Sequence, residues 1–212
     1  MFYEFAYRRG PRVSIVLALV LIGGGSVFWN LTARGAYETA EYQVVEKEGL
    51  LEVREYPDLT LVTTPMVSSS QGNDGSFMRL FRYISGANQE QQKVEMTTPV
   101  FMEEGTRESR GQMGFVVPKL VAEAGAPAPS GQDVRLQTRR GGRFAVIRFS
   151  GRMNQTSIEK ANRELRDWMT KKGLKGAENY ETAGYDAPWT PGFFRRNEVL
   201  IRLEDANKAD AN

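Results

Sequence analysis

The chain has no cysteine and no histidine in its 212 residues. The missing cysteine excludes a disulfide framework, a thiolate nucleophile, an iron–sulfur cluster and a lipoprotein acyl-cysteine. The missing histidine excludes a Ser-His-Asp triad, a Cys-His pair, His-ligated zinc and an imidazole ligand to haem iron. Carboxylates, Lys, Arg, Tyr, Ser, Thr, Met or a borrowed cofactor must carry any chemistry. The rest of the composition is that of a folded chain, 41% hydrophobic and 25% charged, with a net charge of +2. The length suits one domain with residues to spare.

Charge of one sign is nearly missing from the start. Arg8, Arg9 and Arg12 face a single Glu4, and Val13 to Trp29 then runs without any charge. As a helix this run rises about 25 Å, the short limit for crossing a bilayer. The arginines predict a cytoplasmic N-terminus and export of the rest of the chain. An uncleaved signal anchor over residues 13–31 fits this pattern, with residues 1–12 cytoplasmic. A secretory signal peptide also fits, with an apolar core from Val13 to Ile22 and a cut near Gly35 after Ala33 and Arg34. Arg34 and the bulky Phe28–Trp29 pair make a poor cleavage site, and Trp29 suits a membrane interface, so the anchor is favoured. Arg8-Arg9 hints at twin-arginine export, although Gly10-Pro11 departs from that pattern. The expected location is the inner (cell) membrane, single pass, with the C-terminal domain periplasmic or extracytoplasmic. Beyond Gly35 stand 24 of the 28 basic residues against 25 of the 26 acidic ones. That part is nearly neutral and has no basic face for nucleic acid. A monomer is expected.

After a linker at residues 32–41, the chain shows the same order of elements twice. Tyr42, Val44, Leu51 and Val53 alternate around a turn at Glu48-Gly49, and Leu59 to Val67 is rich in β-formers. Phe77, Leu80, Phe81 and Ile84 fall on one helical face stopped by Gly86. Val94 to Met102 and Gln112 to Val117 read as strands, and Glu123 to Gln132 as a Gly/Pro loop. Val134 to Thr138 and Arg143 to Phe149 then read as strands. A helix follows from about Thr156, with Ile158, Ala161, Leu165, Trp168 and Met169 as its stripe and Gly173 as its stop. Thr156 and Glu159 offer a capping box. Tyr180 to Tyr185 and Glu198 to Leu203 close the pattern. The expectation is an α+β domain at residues 42–203, made of two ββαββ-like halves around one antiparallel sheet or distorted barrel, with a polar tail at 204–212.

Several stretches now group together: Tyr83-Ile84-Ser85-Gly86-Ala87-Asn88, Lys93-Val94-Glu95-Met96-Thr97-Thr98-Pro99-Val100 and Phe115-Val116-Val117-Pro118. Near the end stand Gly184-Tyr185-Asp186-Ala187-Pro188 and Arg195-Arg196-Asn197-Glu198-Val199. In this order and spacing the chain resembles the SOUL haem-binding protein family, from about Tyr42 to Leu203. The resemblance implies a distorted antiparallel β-barrel of eight or nine strands with two flanking helices. It also implies reversible binding of haem or another tetrapyrrole without catalysis. In family members the ligand lies against the first helix and a loop before the last strand. Carried over, those positions are Phe77, Met78, Phe81 and Arg82 on the helix, and Trp189, Phe193 and Arg195 in the loop. A porphyrin is an apolar disc with two carboxylates at one edge, so an apolar wall with a cation at its rim suits it. Family members that use an axial His have no counterpart here, which leaves Tyr or Met as iron ligands, or packing and carboxylate contacts alone. Haem is a cofactor not required for folding in this reading.

Plainer roles stand beside these. Phe77, Leu80, Phe81 and Ile84 suit a core stripe, Arg82 a solvated helix position, and Trp189 a plug at the barrel end. The Met96 to Val100 run suits an edge strand that Pro99 ends. Thr190 and Asn154 invite no specific role. Two further functions remain open: a non-haem effector-binding or interaction module on the same fold, and a carboxylate-dependent hydrolase using Glu95 or Glu198. Alternation puts Glu95 opposite Val94 and Met96, hence outward. No nucleophile–base motif and no phosphate-binding glycine loop accompany them.

Overall fold

The computed structural model describes residues 37–67, 74–105, 110–187 and 190–204. The segment expected to cross the membrane, residues 13–31, lies outside them, as do Trp189 and the tail from 205. Among the described residues, no helix is long and apolar enough to cross a membrane.

The elements run β1 (Glu38–Thr39), β2 (Gln43–Glu48), β3 (Leu51–Tyr56), β4 (Leu59–Met66), α1 (Ser76–Ile84), β5 (Thr97–Thr98), β6 (Val100–Glu103) and β7 (Gly111–Val116). They continue through α2 (Lys119–Ala124), β8 (Arg135–Arg139), β9 (Gly142–Phe149), α3 (Gln155–Lys171), β10 (Glu181–Gly184), a 3-10 turn (Gly192–Phe194) and β11 (Asn197–Arg202). β1 lies within the stretch read as linker and pairs in parallel with β5. The other nine strands form one antiparallel sheet in the order β2-β3-β9-β11-β10-β6-β7-β4-β8.

Set β2 aside and that order reads the same when the halves are exchanged. β3, β4, α1, β6 and β7 correspond to β8, β9, α3, β10 and β11, with the pairing of β6 and β10 at the centre. The expected double pattern is thus present, with each half's first strand paired to the other half's second. Through the ladders, Arg54 opposite Phe144 matches Arg139 opposite Leu59. Glu198 opposite Arg148 likewise matches Gly114 opposite Thr63.

The sheet curls without closing, which corrects the barrel expectation: no ladder joins β2 or β3 to β8 among the described residues. The edge strand β8 still approaches the far side of the sheet through side chains, since the Arg139 guanidinium lies 5.0 Å from the Tyr56 ring on β3 and 4.3 Å from the Phe144 ring on β9. The two interstrand connections cross at Gly141, where an added Cβ would run into the Tyr56 carbonyl and the Pro57 backbone. Only glycine allows that approach.

Period-two alternation gives each strand two faces. On the helix-bearing face, α3 buries Ile158, Ala161, Leu165, Trp168 and Met169 against Val53, Ala145, Ile147, Val199 and Ile201. Each large side chain buried this way contributes about 1.5–3 kcal/mol. α1 sets Leu80, Tyr83 and Ile84 against Val62, Met102, Met113 and Phe115. The opposite face holds Tyr56, Leu61, Phe101, Phe144, Val146 and Leu200.

Gly86 and Gly173 stop the two longer helices as expected, at positive φ of 108° and 68°. The capping box of α3 is instead made by Asn154 and Ser157: Asn154 Oδ1 accepts from the Ser157 N–H at 2.9 Å, and Ser157 Oγ accepts from the Asn154 N–H at 3.0 Å. Helix α2 runs into the first two residues of the expected loop and carries no buried residue, so no apolar stripe announces it. The Val94–Met102 run is broken by Pro99, which follows a cis peptide bond. Before it, β5 pairs only with β1 among the described residues and ends ahead of Pro99, as the edge-strand expectation has it, while β6 after it lies between β10 and β7.

Candidate functional site

The sequence places its candidate residues on α1 and on the loop before β11. Helix α1 packs on β4 and β7, and its register leaves part of the expected stripe outside. Phe77 is half-buried, stacked on Phe81 with ring centroids 6.2 Å apart and edge-on to Phe115 at 5.2 Å. Met78 and Phe81 are 49% and 43% exposed. Arg82 is exposed beside them, its Nε donating to the Met78 carbonyl at 3.3 Å. Tyr83 takes the inward position instead, donating its hydroxyl to the Pro127 carbonyl at 2.7 Å. Burial pushes that phenol up to about 12, so it stays neutral.

Entry into α1 is set by Asp74, whose carboxylate accepts from the Val67 N–H at 2.7 Å and the Ser76 N–H at 3.1 Å. Burial pushes this carboxyl up, but those bonds and Arg79 outweigh it and hold it at about 2.

The loop residues sit elsewhere. Phe193, 72% exposed, leans on Phe194 with centroids 4.2 Å apart. Arg195 Nε donates to the Thr190 carbonyl at 2.8 Å, so this cation braces the loop. The loop is tied to the start of α3, where the Gly151 N–H donates to the Gly192 carbonyl at 3.0 Å. Arg82 lines a hollow of 240 Å³ with Ala87, Pro129 and Val134, and neither Phe193 nor Arg195 joins it. The two groups belong to opposite halves of the sheet.

The strongest electrostatics lie on the helix-free face. Arg54, 1% exposed, donates through Nη1 and Nη2 to the two Glu198 carboxylate oxygens at 2.7 and 3.0 Å. Its Nε donates to Glu52 at 2.6 Å. Glu198, wholly buried, also accepts from Arg196 Nη2 at 2.6 Å and the Tyr185 hydroxyl at 3.0 Å. Burial pushes the Glu198 carboxyl up, yet Arg54 and Arg196 outweigh it and hold it below its ordinary value. Burial pulls the Arg54 guanidinium down, and the bond to Glu198 more than restores it. A carboxylate so fully paired has no free lone pair or proton for general acid–base work. Glu95, the other candidate carboxylate, is exposed as alternation predicts. Among the described residues, no group of three or more carboxylates is placed to hold a metal ion.

On the same face a cavity of 680 Å³ opens between Thr63, Gln112, Gln137, Asn179 and Tyr180, with Gly114 and Arg139 among its walls. Sequence reading singles out none of these. The one signal in the chain is an arginine at the same strand position in each half, Arg54 and Arg139.

The family model described as SOUL heme-binding protein matches residues 37–202. Heme-binding protein 1 of Xenopus tropicalis is 26% identical over 176 residues, covering 78% of this chain and 92% of its own length. The Xenopus laevis protein of the same name is 24% identical over the same shares. Among solved structures, the EcmrR C-terminal domain aligns with a TM-score of 0.54 at 13% identity, over 78% of this chain and 99% of its own. A hydrolase from Listeria innocua aligns with a TM-score of 0.52 at 10% identity, over 76% and 94%. At these identities the two structures share the fold alone.

Proposed function

The chain belongs to the SOUL heme-binding protein family, and from that premise we propose that it binds haem or a related planar tetrapyrrole non-covalently, as a carrier or buffer, on the outward face of α1. One observation carries the placement: α1 presents Met78 and Phe81 to solvent beside Arg82. An apolar plate with a cation at its border is what a porphyrin face and its edge carboxylates call for. Phe77 backs the plate from within. In this reading Phe193 and Arg195, which line no hollow with Arg82, and Trp189, outside the described residues, are secondary to the α1 plate. With no histidine in the chain, iron is held without imidazole. The Tyr83 hydroxyl is committed to Pro127, which leaves the Met78 thioether as the ligand-capable atom on this helix. Folding does not call on haem, because Leu80, Tyr83 and Ile84 hold α1 on the sheet whatever covers its outer face.

The reading extends to location. Residues 13–31 tether the domain to the cell membrane as a single pass with the N-terminus cytoplasmic, supported by the charge-free run and the three arginines before it. The chain acts by binding and not by catalysis, and the full pairing of Glu198 supports this against a hydrolase.

Haemin titration of the full chain in detergent tests the site. Saturable one-to-one binding with a shifted Soret band is expected, weakened about tenfold or more in Phe81→Ala. A chain that gives no Soret change, or a Phe81→Ala variant that binds as tightly as its parent, overturns the placement. The anchor has its own test in an alkaline wash of membranes, where release of the full-length chain counts against it.

A further inference from the structure

The two halves can be overlaid residue by residue, and the overlay exposes an asymmetry. Arg54 on β3 and Arg139 on β8 occupy equivalent positions, and both are buried, at 1% and 7% exposure. Both guanidinium groups lie over aromatic rings, Arg54 at 4.2 Å from Tyr42, Arg139 at 4.4 Å from Phe101 and 4.3 Å from Phe144. Their carboxylate supply differs. Arg54 meets both oxygens of Glu198. The position equivalent to Glu198 in the other half is Gly114, which has no side chain to offer.

Arg139 is therefore only partly paired. Its Nε donates to Glu181 at 2.8 Å, and Nη2 stands 2.7 Å from the same oxygen but off the hydrogen-bond line. Nη1, fully buried, has no hydrogen-bond partner among the described residues. Leaving a buried charged donor unpaired is costly, and native structures seldom do so without a use for it. Gly114 and Arg139 both line the 680 Å³ cavity. Leu61, Phe101 and Leu200 supply its apolar floor, and Thr63, Gln112 and Gln137 its polar rim. Arg202, also on the wall, is occupied with the carbonyls of Gly141 and Arg140 at 2.7 and 2.6 Å. Arg140, the third arginine on the wall, is exposed, so Arg139 is the buried cation there with donors that lack hydrogen-bond partners.

We propose that this cavity is a second ligand site, specific for a small organic carboxylate with a flat apolar body. The ligand's carboxylate takes, beside Arg139, the place that Glu198 fills beside Arg54. Its body lies over Phe101 and Leu61, and its outer edge meets Gln112 and Gln137. Glu103 stands exposed at the mouth, where partial desolvation and the Glu181 charge push its carboxyl up, against Arg139 and Arg202. No covalent step is involved. The site is separate from α1 and stands whether or not tetrapyrrole binds there.

The probe is 2-naphthoate, titrated calorimetrically into the full chain, with uncharged 2-naphthalenemethanol as control. One-to-one binding of naphthoate is expected, with the alcohol at least about tenfold weaker. Arg139→Lys, which keeps charge but loses the forked donors, should weaken naphthoate about tenfold or more. Gln112→Glu, at a half-buried rim position, should weaken it severalfold by setting a like charge at the mouth, and it decides the matter if Arg139→Lys fails to fold. Phe81→Ala should leave naphthoate binding unchanged while it disturbs haemin. Absence of saturable binding, equal affinity for acid and alcohol, or binding lost in Phe81→Ala and kept in both cavity variants would each overturn the proposal.

Discussion

Helices α1 and α3 occupy equivalent places in the two halves of the sheet, yet they end their outward faces differently. α3 is 17 residues long, and every exposed position on it is polar or charged, from Gln155 through Glu159, Lys160, Arg163 and Asp167 to Thr170. α1 is 9 residues long and exposes Met78 and Phe81. Under the same architecture, one helix is finished as a wall and the other is left as a surface that something can cover. The sheet's helix-free face repeats the lesson, with Arg54 saturated in one half and Arg139 short of a partner in the other. Unequal halves are where both proposed ligand sites lie, because the fold's own symmetry supplies the reference for what is missing.

The largest expected effect comes from breaking the saturated half. Glu198→Gln removes the charge that compensates Arg54 and Arg196, and stranding buried cations should cost about 3–5 kcal/mol of unfolding free energy. Urea denaturation measures this, and a loss below about 1 kcal/mol would show that the network contributes little net stability.

The next comparison sets the helices against each other. Leu165, wholly buried under α3, should cost about 2–5 kcal/mol as Leu165→Ala. Phe81→Ala on α1 should cost less than about 1 kcal/mol, since nearly half of that ring is already in water. A Phe81→Ala loss as large as that of Leu165→Ala would mean that the ring is core and no binding plate. Smaller still is Arg82→Ala, expected to lower haemin affinity severalfold with thermal stability unchanged, because the guanidinium's hydrogen bond is an exposed one within the helix.

The smallest effect is an acid one. Asp74 holds the start of α1 with a carboxyl depressed from 3.8 to about 2. A depressed folded-state value means that its contribution is complete above about pH 4 and is lost as pH falls toward 2. The α3 cap uses Asn154 and Ser157, neither of which titrates. Amide exchange at Ser76 should therefore accelerate between pH 4 and 2, relative to Ser157. Equal acceleration at both sites would remove Asp74 as the cause.

Much of the fold is legible in the chain because its signals are local. The apolar spacing of Ile158, Leu165 and Trp168 sets α3, and Gly86 and Gly173 end helices where the backbone turns to positive φ. The doubled order of strands and helix is readable for the same reason. The α3 cap is ambiguous in sequence, because Asn154-x-x-Ser157 and Thr156-x-x-Glu159 are both plausible boxes two residues apart, and the choice depends on where β9 releases the chain. The inward position of Tyr83 is masked by its polar hydroxyl, which needs Pro127, 44 residues away.

The absence of histidine and cysteine fixed, by composition alone, that no imidazole or thiolate chemistry takes place in this protein. The repeated pattern of elements fixed its two-halved architecture. Which arginine is satisfied was decided only in three dimensions. Arg54 and Glu198 are 144 positions apart, and a buried charge takes its partner from whichever strand the curling sheet brings within about 3 Å. The same curl leaves Phe81 outside and gives Arg139 a glycine where its twin has a carboxylate. Local sequence cannot encode that difference, because it arises from strands of opposite halves meeting across the sheet.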